Sequence, residues 1–180
     1  MTFLNEKKTV LSKHDKSKKG TIDEQIRPLL GLINAHKNYY TTSSCAGRAY
    51  LWKGTGKKNQ TEWIKVSHDL IQENFLNIKE PGLIWLRLEP FIIHIACRNL
   101  KSATSLVGLA HTIYKKSCLL SVRNKILVEI RGSEFLEMPL YNNCQFLFAE
   151  PKGFLVNLVN QKMKRMEEGR QRFQSLLKDL

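Results

Sequence analysis

The spacing of apolar residues along the chain predicts several helices separated by short strands. The first helix begins near Thr21, because Thr21 and Glu24 have the spacing of a capping box. Pro28 would cost a backbone hydrogen bond in the helix interior, so we place it in the first turn or at a kink. The apolar positions of this helix recur at helical spacing and are Ile26, Leu29, Leu30 and Ile33.

Three further helices are predicted downstream. A short helix covers residues 70–78 and ends before Pro81. Another follows Ser102, whose hydroxyl could cap it. The last, residues 153–177, is long, basic and amphipathic.

Runs rich in aromatic and β-branched residues predict the strands. Residues 39–45 and 48–53 form a predicted hairpin that turns at Ala46-Gly47, and residues 118–122 and 125–131 form a second hairpin. The remaining strands are expected at residues 63–66, 83–88 and 91–97, with two short extended pieces between residues 135 and 150.

A weak internal similarity links two parts of the chain. A shift of 77 positions places Leu30-Gly31-Leu32 over Val107-Gly108-Leu109, and both stretches predict helix, strand, tight turn and strand. A duplicated helix-and-hairpin unit is one interpretation, and chance similarity is the other. The order of elements predicts an α+β fold with a largely antiparallel curved sheet and flanking helices, in one domain over residues 1–180.

Composition adds a strong positive charge. The chain has 29 Lys and Arg against 16 Asp and Glu, a net charge of +13. Such a surplus indicates nucleic acid as the first partner to consider and an acidic membrane surface as the second, while a charge that serves only solubility is the third interpretation.

The sequence also argues against several classes of protein. It shows no secretory signal and no run of about 18 apolar residues, so we expect no membrane span. The four cysteines never form a Cys-x-x-Cys pair and the five histidines are scattered, which makes a metal site improbable. We expect a reduced, cytoplasmic protein that is a monomer.

Basic residues concentrate in three segments that could contact phosphates. The first is the N-terminal stretch of residues 1–20, which we expect to be a solvated, partly mobile surface. The second is the loop of residues 54–60, and the third is the final helix. The expected phosphate contacts are Lys16, Lys18, Lys19, Lys57, Lys58, Lys164 and Arg165.

Residues 41–48 (Thr-Thr-Ser-Ser-Cys-Ala-Gly-Arg) place hydroxyl groups before a glycine and an arginine. Hydroxyls and backbone N–H groups at such a turn can bind an anion, and Arg48 can donate two hydrogen bonds to a carboxylate or phosphate. A purely structural turn with Arg48 paired to an acid is equally compatible. Cys45 would be a nucleophile only if a histidine approached it, and is more commonly a small strand residue.

Two more places could carry chemistry. His94 stands alone on an apolar strand, where a core histidine is the default, and Glu89 precedes the bend at Pro90. The tryptophans and two tyrosines could stack on nucleic-acid bases, although aromatic residues on strands more often pack in a core. The aromatic residues in question are Tyr39, Tyr40, Trp52, Trp63 and Trp85.

Four ordered blocks resemble the tRNA wybutosine-synthesizing protein 3 family. Residues 39–48 (Tyr-Tyr-Thr-Thr-Ser-Ser-Cys-Ala-Gly-Arg) resemble its signature, preceded by residues 15–23 (Asp-Lys-Ser-Lys-Lys-Gly-Thr-Ile-Asp). Residues 89–97 (Glu-Pro-Phe-Ile-Ile-His-Ile-Ala-Cys) resemble its second block, and residues 138–140 with 155–162 its closing block. Ser117-Cys118 departs from the Ser-Gly that the family tends to carry there.

The resemblance implies an S-adenosylmethionine-dependent methyltransferase. Its expected substrate is tRNA(Phe), which would be methylated on the N-4 nitrogen of a wyosine-type tricyclic guanine next to the anticodon. It also implies an α+β fold unlike the doubly wound methyltransferases, in agreement with the missing glycine-rich nucleotide-binding motif. We hypothesise that Ser43, Ser44, Cys45 and Arg48 bind the cofactor's carboxylate or a tRNA phosphate. His94 or Glu89 would then take the proton that leaves the acceptor nitrogen.

Two other functions compete with this one. A non-catalytic RNA-binding module would use the same basic and aromatic surface, and it ranks first when the resemblance is set aside. A cysteine-dependent hydrolase would use Cys45 as its nucleophile. Binding of S-adenosylmethionine separates the methyltransferase from the module, and inactivation by iodoacetamide tests the hydrolase.

Overall fold

A computed structural model describes residues 2–13, 21–55 and 60–178 of the chain. It divides into two compact units: unit 1 is Met1–Ala46, Phe91–Ser133 and Glu167–Leu180, and unit 2 is Gly47–Pro90 and Glu134–Met166. Neither unit is a continuous segment, because the chain passes from one to the other after Ala46, Pro90, Ser133 and Met166.

Helices and strands alternate along the described residues. The helices are α1 (Phe3–Leu11), α2 (Arg27–Ala35), α3 (Leu100–His111) and α4 (Lys152–Leu177), with short 3-10 turns at Glu24–Ile26 and Glu73–Leu76. The strands are β1 (Tyr39–Cys45), β2 (Arg48–Gly54), β3 (Thr61–Ser67), β4 (Leu83–Glu89), β5 (Ile92–Cys97), β6 (Cys118–Ser121), β7 (Ile126–Arg131), β8 (Leu136–Asn142) and β9 (Gln145–Phe146).

Unit 1 contains an antiparallel sheet in the order β1-β5-β7-β6. One face of the sheet packs on α2, α3 and the last turns of α4, because alternate strand residues carry the apolar side chains. The core of this unit includes Ile33, Tyr39, Ile93, Ile95, Leu106, Val128, Ile130 and Phe173.

Unit 2 contains a second antiparallel sheet in the order β3-β2-β4-β8-β9. Strand β4 alternates strictly: Ile84, Leu86 and Leu88 are fully buried in the core, whereas Trp85 and Arg87 point to the opposite face. The first half of α4 covers the core face with Leu155, Val156, Val159, Met163 and Met166.

The α+β class and the antiparallel pairing are therefore confirmed, but the strands form two sheets instead of one. Strands β1 and β2 do not pair with each other, so the hairpin predicted at Ala46-Gly47 is wrong. The helix-and-hairpin unit consequently occurs only once among the described residues, as α3 followed by β6 and β7. Of the two interpretations of the internal similarity, the described residues therefore favour chance similarity over duplication.

Helix starts were the least predictable features. Thr21 caps nothing: α2 begins at Arg27, with Pro28 in its first turn as expected. The cap of α3 is Asn99, whose side chain accepts a hydrogen bond from the Ser102 N–H. Ser102 is thus the third residue of the helix and not its cap. Residues 70–78 form only the 3-10 turn Glu73–Leu76.

The basic N-terminal segment differs from the expected mobile surface in its first part. Residues 3–11 form α1, whose N-cap is Thr2. Phe3 packs on Tyr40 with 5.2 Å between ring centroids, and Lys7 donates to the His36 carbonyl. Among the residues described, no helix is both long and apolar enough to cross a membrane.

Candidate functional site

Three polar side chains form a hydrogen-bonded row across the sheet of unit 1. Ser43 on β1 lies opposite His94 on β5, and His94 lies opposite Glu129 on β7. The Ser43 hydroxyl is 2.8 Å from Nδ1 of His94, and Nε2 of His94 is 3.0 Å from a carboxylate oxygen of Glu129. An ionised carboxylate only accepts hydrogen bonds, so Glu129 favours the imidazole tautomer with its proton on Nε2. Nδ1 is then left as an acceptor for the Ser43 hydroxyl.

A β-bulge in β1 creates this row. The register shifts between Thr41 and Ser43, so the extra residue is Thr42 and its hydroxyl donates to the His94 carbonyl. Without the bulge Thr42 would stand opposite His94, and Ser43 would point to the other face of the sheet. The row is open to solvent at one end, because Ser43 is exposed whereas the Glu129 side chain is only 16% exposed.

Ala46, the residue that follows β1, is held by two buried charged side chains. Asp23 accepts a hydrogen bond from the Ala46 N–H at 2.9 Å, and Arg170 donates to the Ala46 carbonyl. Arg170 also bonds to Glu167 one turn earlier on α4. Both polar groups of the Ala46 backbone are thus bound by side chains of opposite charge, which fixes the end of β1.

Unit 2 holds the other predicted site residues in a separate network. Arg48 on β2 donates to Glu89 on β4, with 3.1 Å between Nη2 and the carboxylate. The other oxygen of Glu89 accepts a 2.7 Å hydrogen bond from the Tyr50 hydroxyl, which in turn accepts one from Arg87 at 3.2 Å. Burial, together with the hydrogen bond to Glu89, raises the pKa of Tyr50 to about 12, so this hydroxyl keeps its proton.

The structure therefore brings the predicted residues together in two groups. Ser43 contacts His94 within unit 1, and Arg48 contacts Glu89 within unit 2. Ser44 and Cys45 follow Ser43 on β1 and are both partly exposed. None of the four cysteines, which all lie in the described residues, forms a disulfide.

The predicted phosphate contacts are only partly described. Lys16, Lys18, Lys19, Lys57 and Lys58 lie outside the described residues. Lys164 is exposed on α4. Arg165, next to it, pairs with Glu134 at 2.9 Å, and Lys162 pairs with the same carboxylate at 3.0 Å.

Sequence reasoning missed four residues of these networks. Glu129 and Tyr50 gave a signal only through strand alternation, which puts them on the polar face of their strands without showing their partners. Asp23 lies in the block 15–23 and Arg170 in the basic final helix, where it was a candidate for a phosphate contact, but neither position indicated a bond to the Ala46 backbone. Arg170 is only 7% exposed, a degree of burial that marks a paired arginine.

The chain is similar to known proteins over nearly its whole length. The chain is 33% identical over 183 residues to the tRNA(Phe) 7-((3-amino-3-carboxypropyl)-4-demethylwyosine(37)-N(4))-methyltransferase 1 of Pyrococcus horikoshii, covering 97% of this chain and 93% of that protein. It is 34% identical over 186 residues to the tRNA wybutosine-synthesizing protein 3 homolog of Xenopus laevis, covering 97% of this chain and 74% of that protein. The solved structure of the PH1069 protein from Pyrococcus horikoshii superposes with a TM-score of 0.86 at 30% identity, covering 98% of this chain and 96% of that one.

The described residues form an α+β fold built on two antiparallel sheets, without a doubly wound parallel sheet. Residues 4–180 match the family described as Methyltransferase TYW3, and the chain belongs to that family. The resemblance of the four sequence blocks is thereby confirmed, and so is the expectation of an enzyme that transfers a methyl group.

Proposed function

We propose that this methyltransferase transfers a methyl group from S-adenosylmethionine to the N-4 nitrogen of a wyosine-type tricyclic guanine next to the anticodon of tRNA(Phe), during wybutosine biosynthesis. The family supports methyl transfer, and the relative from Pyrococcus horikoshii is named for this reaction. The net charge of +13 suits a polyanionic substrate.

The row formed by Ser43, His94 and Glu129 carries the proposal. Methylation of an N–H nitrogen forms a nitrogen–carbon bond, breaks the carbon–sulfur bond of the donor and releases a proton from the nitrogen. Ser43, at the exposed end of the row, is placed to accept that proton while passing its own to Nδ1 of His94. Glu129 stabilises the imidazolium that results, and the proton leaves to solvent after the transfer.

Glu89 is less suited to take the proton. Both of its oxygens are engaged, one by the Tyr50 hydroxyl and the other by Arg48. Taking a proton from the acceptor nitrogen would require Glu89 to give up one of these hydrogen bonds. We therefore assign proton transfer to His94 and a structural role to Glu89.

We further propose that Ser43, Ser44 and Cys45 bind the methyl donor, as their position on β1 favours. Strand β1 is the edge of its sheet, so alternate backbone N–H groups point away from β5. Edge N–H groups and neighbouring hydroxyls fit a carboxylate such as that of S-adenosylmethionine. Arg48 keeps its proposed role as a cation that binds the cofactor's carboxylate or a tRNA phosphate, and it would then give up its bond to Glu89.

Phosphate contacts complete the proposal. Lys164 and, with weaker effect because of Glu134, Arg165 would bind the tRNA backbone from α4. Lys16, Lys18, Lys19, Lys57 and Lys58 have the same proposed role. We infer one domain in the cytoplasm, acting as a monomer. One domain is supported by the family match over residues 4–180 and by the discontinuity of both units.

The decisive experiment incubates the protein with labelled S-adenosylmethionine and with tRNA from a strain that lacks the final methylation. Nucleoside mass spectrometry should find one added methyl group on the N-4 nitrogen of the tricycle. Ser44→Ala and Arg48→Ala should both weaken donor binding by calorimetry. Full methylation by both variants would contradict the binding assignment, and no donor binding by the unaltered protein would leave a non-catalytic RNA-binding module.

A further inference from the structure

All three tryptophans of the chain lie in one cross-strand row of the unit 2 sheet. Trp52 on β2 is the register partner of Trp63 on β3 and of Trp85 on β4. Adjacent strands are about 4.8 Å apart, so three indoles occupy neighbouring positions on one face. Trp52 and Trp85 stack with 5.9 Å between ring centroids and an interplanar angle of 19°.

This face is the one that turns away from the core of unit 2. On β2 the core residues are Ala49 and Leu51, and on β4 they are Ile84, Leu86 and Leu88. The residues that alternate with them carry the aromatic and charged groups of the opposite face, which we call the aromatic face: Arg48, Tyr50, Trp52, Trp63, Trp85, Arg87 and Phe135.

Arginines lie over the rings of the aromatic face. The guanidinium carbon of Arg48 is 4.2 Å from the centroid of Trp63, and that of Arg87 is 5.6 Å from the centroid of Phe135. Trp63 also stacks on Tyr50 with 5.3 Å between centroids. Trp63 is nevertheless 48% exposed and Phe135 is 45% exposed. Each of these two residues therefore keeps nearly half of its surface open to a ligand.

We propose that the exposed rings of the aromatic face stack unpaired bases of the RNA substrate, with Trp63 as the principal contact. Tyr50 and Trp52 are buried, and Tyr50 supports the Trp63 ring by stacking on it. The proposal rests on the proposed function for the identity of the RNA, and it adds where the protein holds the bases. A base needs a π-surface to stack on and a cation near its phosphates, and Trp63 with Arg48 offers both. Stacking on an indole is independent of sequence, so this face would supply affinity and leave selection of the nucleotide to other residues.

Charge favours RNA over the other occupants of such a face. A second copy of the chain would bring its own surplus of positive charge, +13 per chain, against the same arginines. The anionic, planar and partly unstacked nucleotides of a tRNA loop complement both the rings and the guanidinium groups.

The test measures binding of an unmodified tRNA(Phe) anticodon stem–loop in the absence of methyl donor. Trp63→Ala should weaken binding by about 5- to 150-fold, the loss that corresponds to one base stack. Trp63→Phe should restore most of the affinity. The slope of the binding constant against salt concentration should stay unchanged in Trp63→Ala, because no phosphate contact is lost.

The matched control is Leu100→Ala. Leu100 is 52% exposed at the start of α3 in unit 1, outside the proposed RNA contacts, and this variant should bind RNA like the unaltered protein. Unchanged RNA affinity in Trp63→Ala would overturn the proposal. So would a change confined to the oligomeric state, seen by analytical ultracentrifugation, which would make the face a contact between copies. Methylation of hypomodified tRNA by the unaltered protein tests the proposed function separately, since stem–loop binding requires no methyl transfer.

Discussion

Glu129 bonds to His94 from the neighbouring strand, with 3.0 Å between a carboxylate oxygen and Nε2 of the imidazole. The carboxylate is mostly buried and the imidazole is 29% exposed. The Glu129 carboxylate therefore orients the His94 ring through Nε2 with a charge that solvent screens little. The other ring nitrogen, Nδ1, is hydrogen-bonded to the Ser43 hydroxyl.

This pair predicts that substitutions of His94 and of Glu129 lower kcat by different amounts. His94→Gln removes the proton acceptor and should lower kcat by about 10²- to 10⁴-fold, the usual contribution of a general base. Glu129→Gln keeps the shape but removes the charge that stabilises the imidazolium. It should lower kcat by about ten- to a hundredfold, with KM for tRNA unchanged.

His111→Gln serves as the control for both variants. His111 is also partly exposed in unit 1, but its imidazole bonds to the Ser117 carbonyl. Single-turnover methylation should be normal in this variant. Wild-type kcat in Glu129→Gln would mean that the carboxylate only supports the sheet.

The helix glycines give a second prediction, with opposite signs at two positions. A Cβ on Gly169 would lie 2.7 Å from the Tyr114 hydroxyl. The Tyr114 ring cannot yield easily, because it packs edge-on against Phe91 at 4.8 Å and Phe173 at 5.8 Å. Gly169→Ala should therefore lower the free energy of unfolding by about 1–3 kcal/mol.

Gly108→Ala is the counterpart in α3. A Cβ there would meet nothing within 4 Å, so alanine should raise stability by about 0.5–1 kcal/mol through its better helix propensity. Denaturant unfolding of both variants checks the pair. Equal effects at the two glycines would contradict the close packing of α4 on Tyr114.

Strand positions followed from the sequence, but strand partners did not. In the strand predicted at residues 83–88, Ile84, Leu86 and Leu88 alternate with more polar positions, and these three residues are the ones buried in the core of unit 2. The turn at Ala46-Gly47 has hairpin composition, yet the Ala46 backbone is bound by Asp23 and Arg170, which are 23 and 124 residues away. Such distant contacts leave no local pattern, and they decide that β1 and β2 enter different sheets.

For the site too, the sequence predicted individual residues but not their partners. His94 stands alone on an apolar strand, where a core histidine is the default, and it became a candidate because residues 89–97 resemble the second block of the family. Its partner Glu129 could not be found, since that pairing depends on the register between β5 and β7. The alignment of Ser43 with His94 depends on a bulge at Thr42, and the residue types around Thr42 do not predict a bulge.

The hydrogen bonds of Asp23 and Arg170 to the Ala46 backbone, which we call the clamp on Ala46, give a third prediction, on stability and donor binding. Arg170→Met keeps the aliphatic stem but removes the donor to the buried Ala46 carbonyl, so stability should fall by about 1–3 kcal/mol. Because Ala46 directly follows Ser44 and Cys45, affinity for the methyl donor should fall as well. Arg172→Met, an exposed arginine of the same helix, is the control and should change neither quantity. Normal thermal unfolding of Arg170→Met would refute the clamp.

The ion pairs of Glu134 predict a fourth effect, which depends on pH. Burial opposes ionisation of this carboxyl, but hydrogen bonds from Arg165 and Lys162 outweigh it and hold its pKa below the usual value of 4.5. A carboxyl whose pKa is lowered on folding contributes stability above its unfolded pKa, and this contribution is lost as the pH falls through the folded pKa. Glu134→Gln should therefore cost about 1 kcal/mol or less at neutral pH, and nothing once the unaltered protein has protonated Glu134.

Denaturant unfolding from neutral pH down to about pH 3 measures this loss, with the Lys162→Met/Arg165→Met double variant as the reference background. In that background Glu134→Gln should no longer cost stability and should slightly raise it at neutral pH, because the burial that opposes ionisation of Glu134 is no longer offset by the two cations. A cost of Glu134→Gln that stayed constant across this range, or that persisted without Lys162 and Arg165, would show that the carboxylate acts through packing instead of charge. That result would also mean that the charge of Glu134 does not hold Arg165 away from a phosphate. Substitution of Arg165 should then reduce the salt dependence of tRNA binding as much as substitution of Lys164 does.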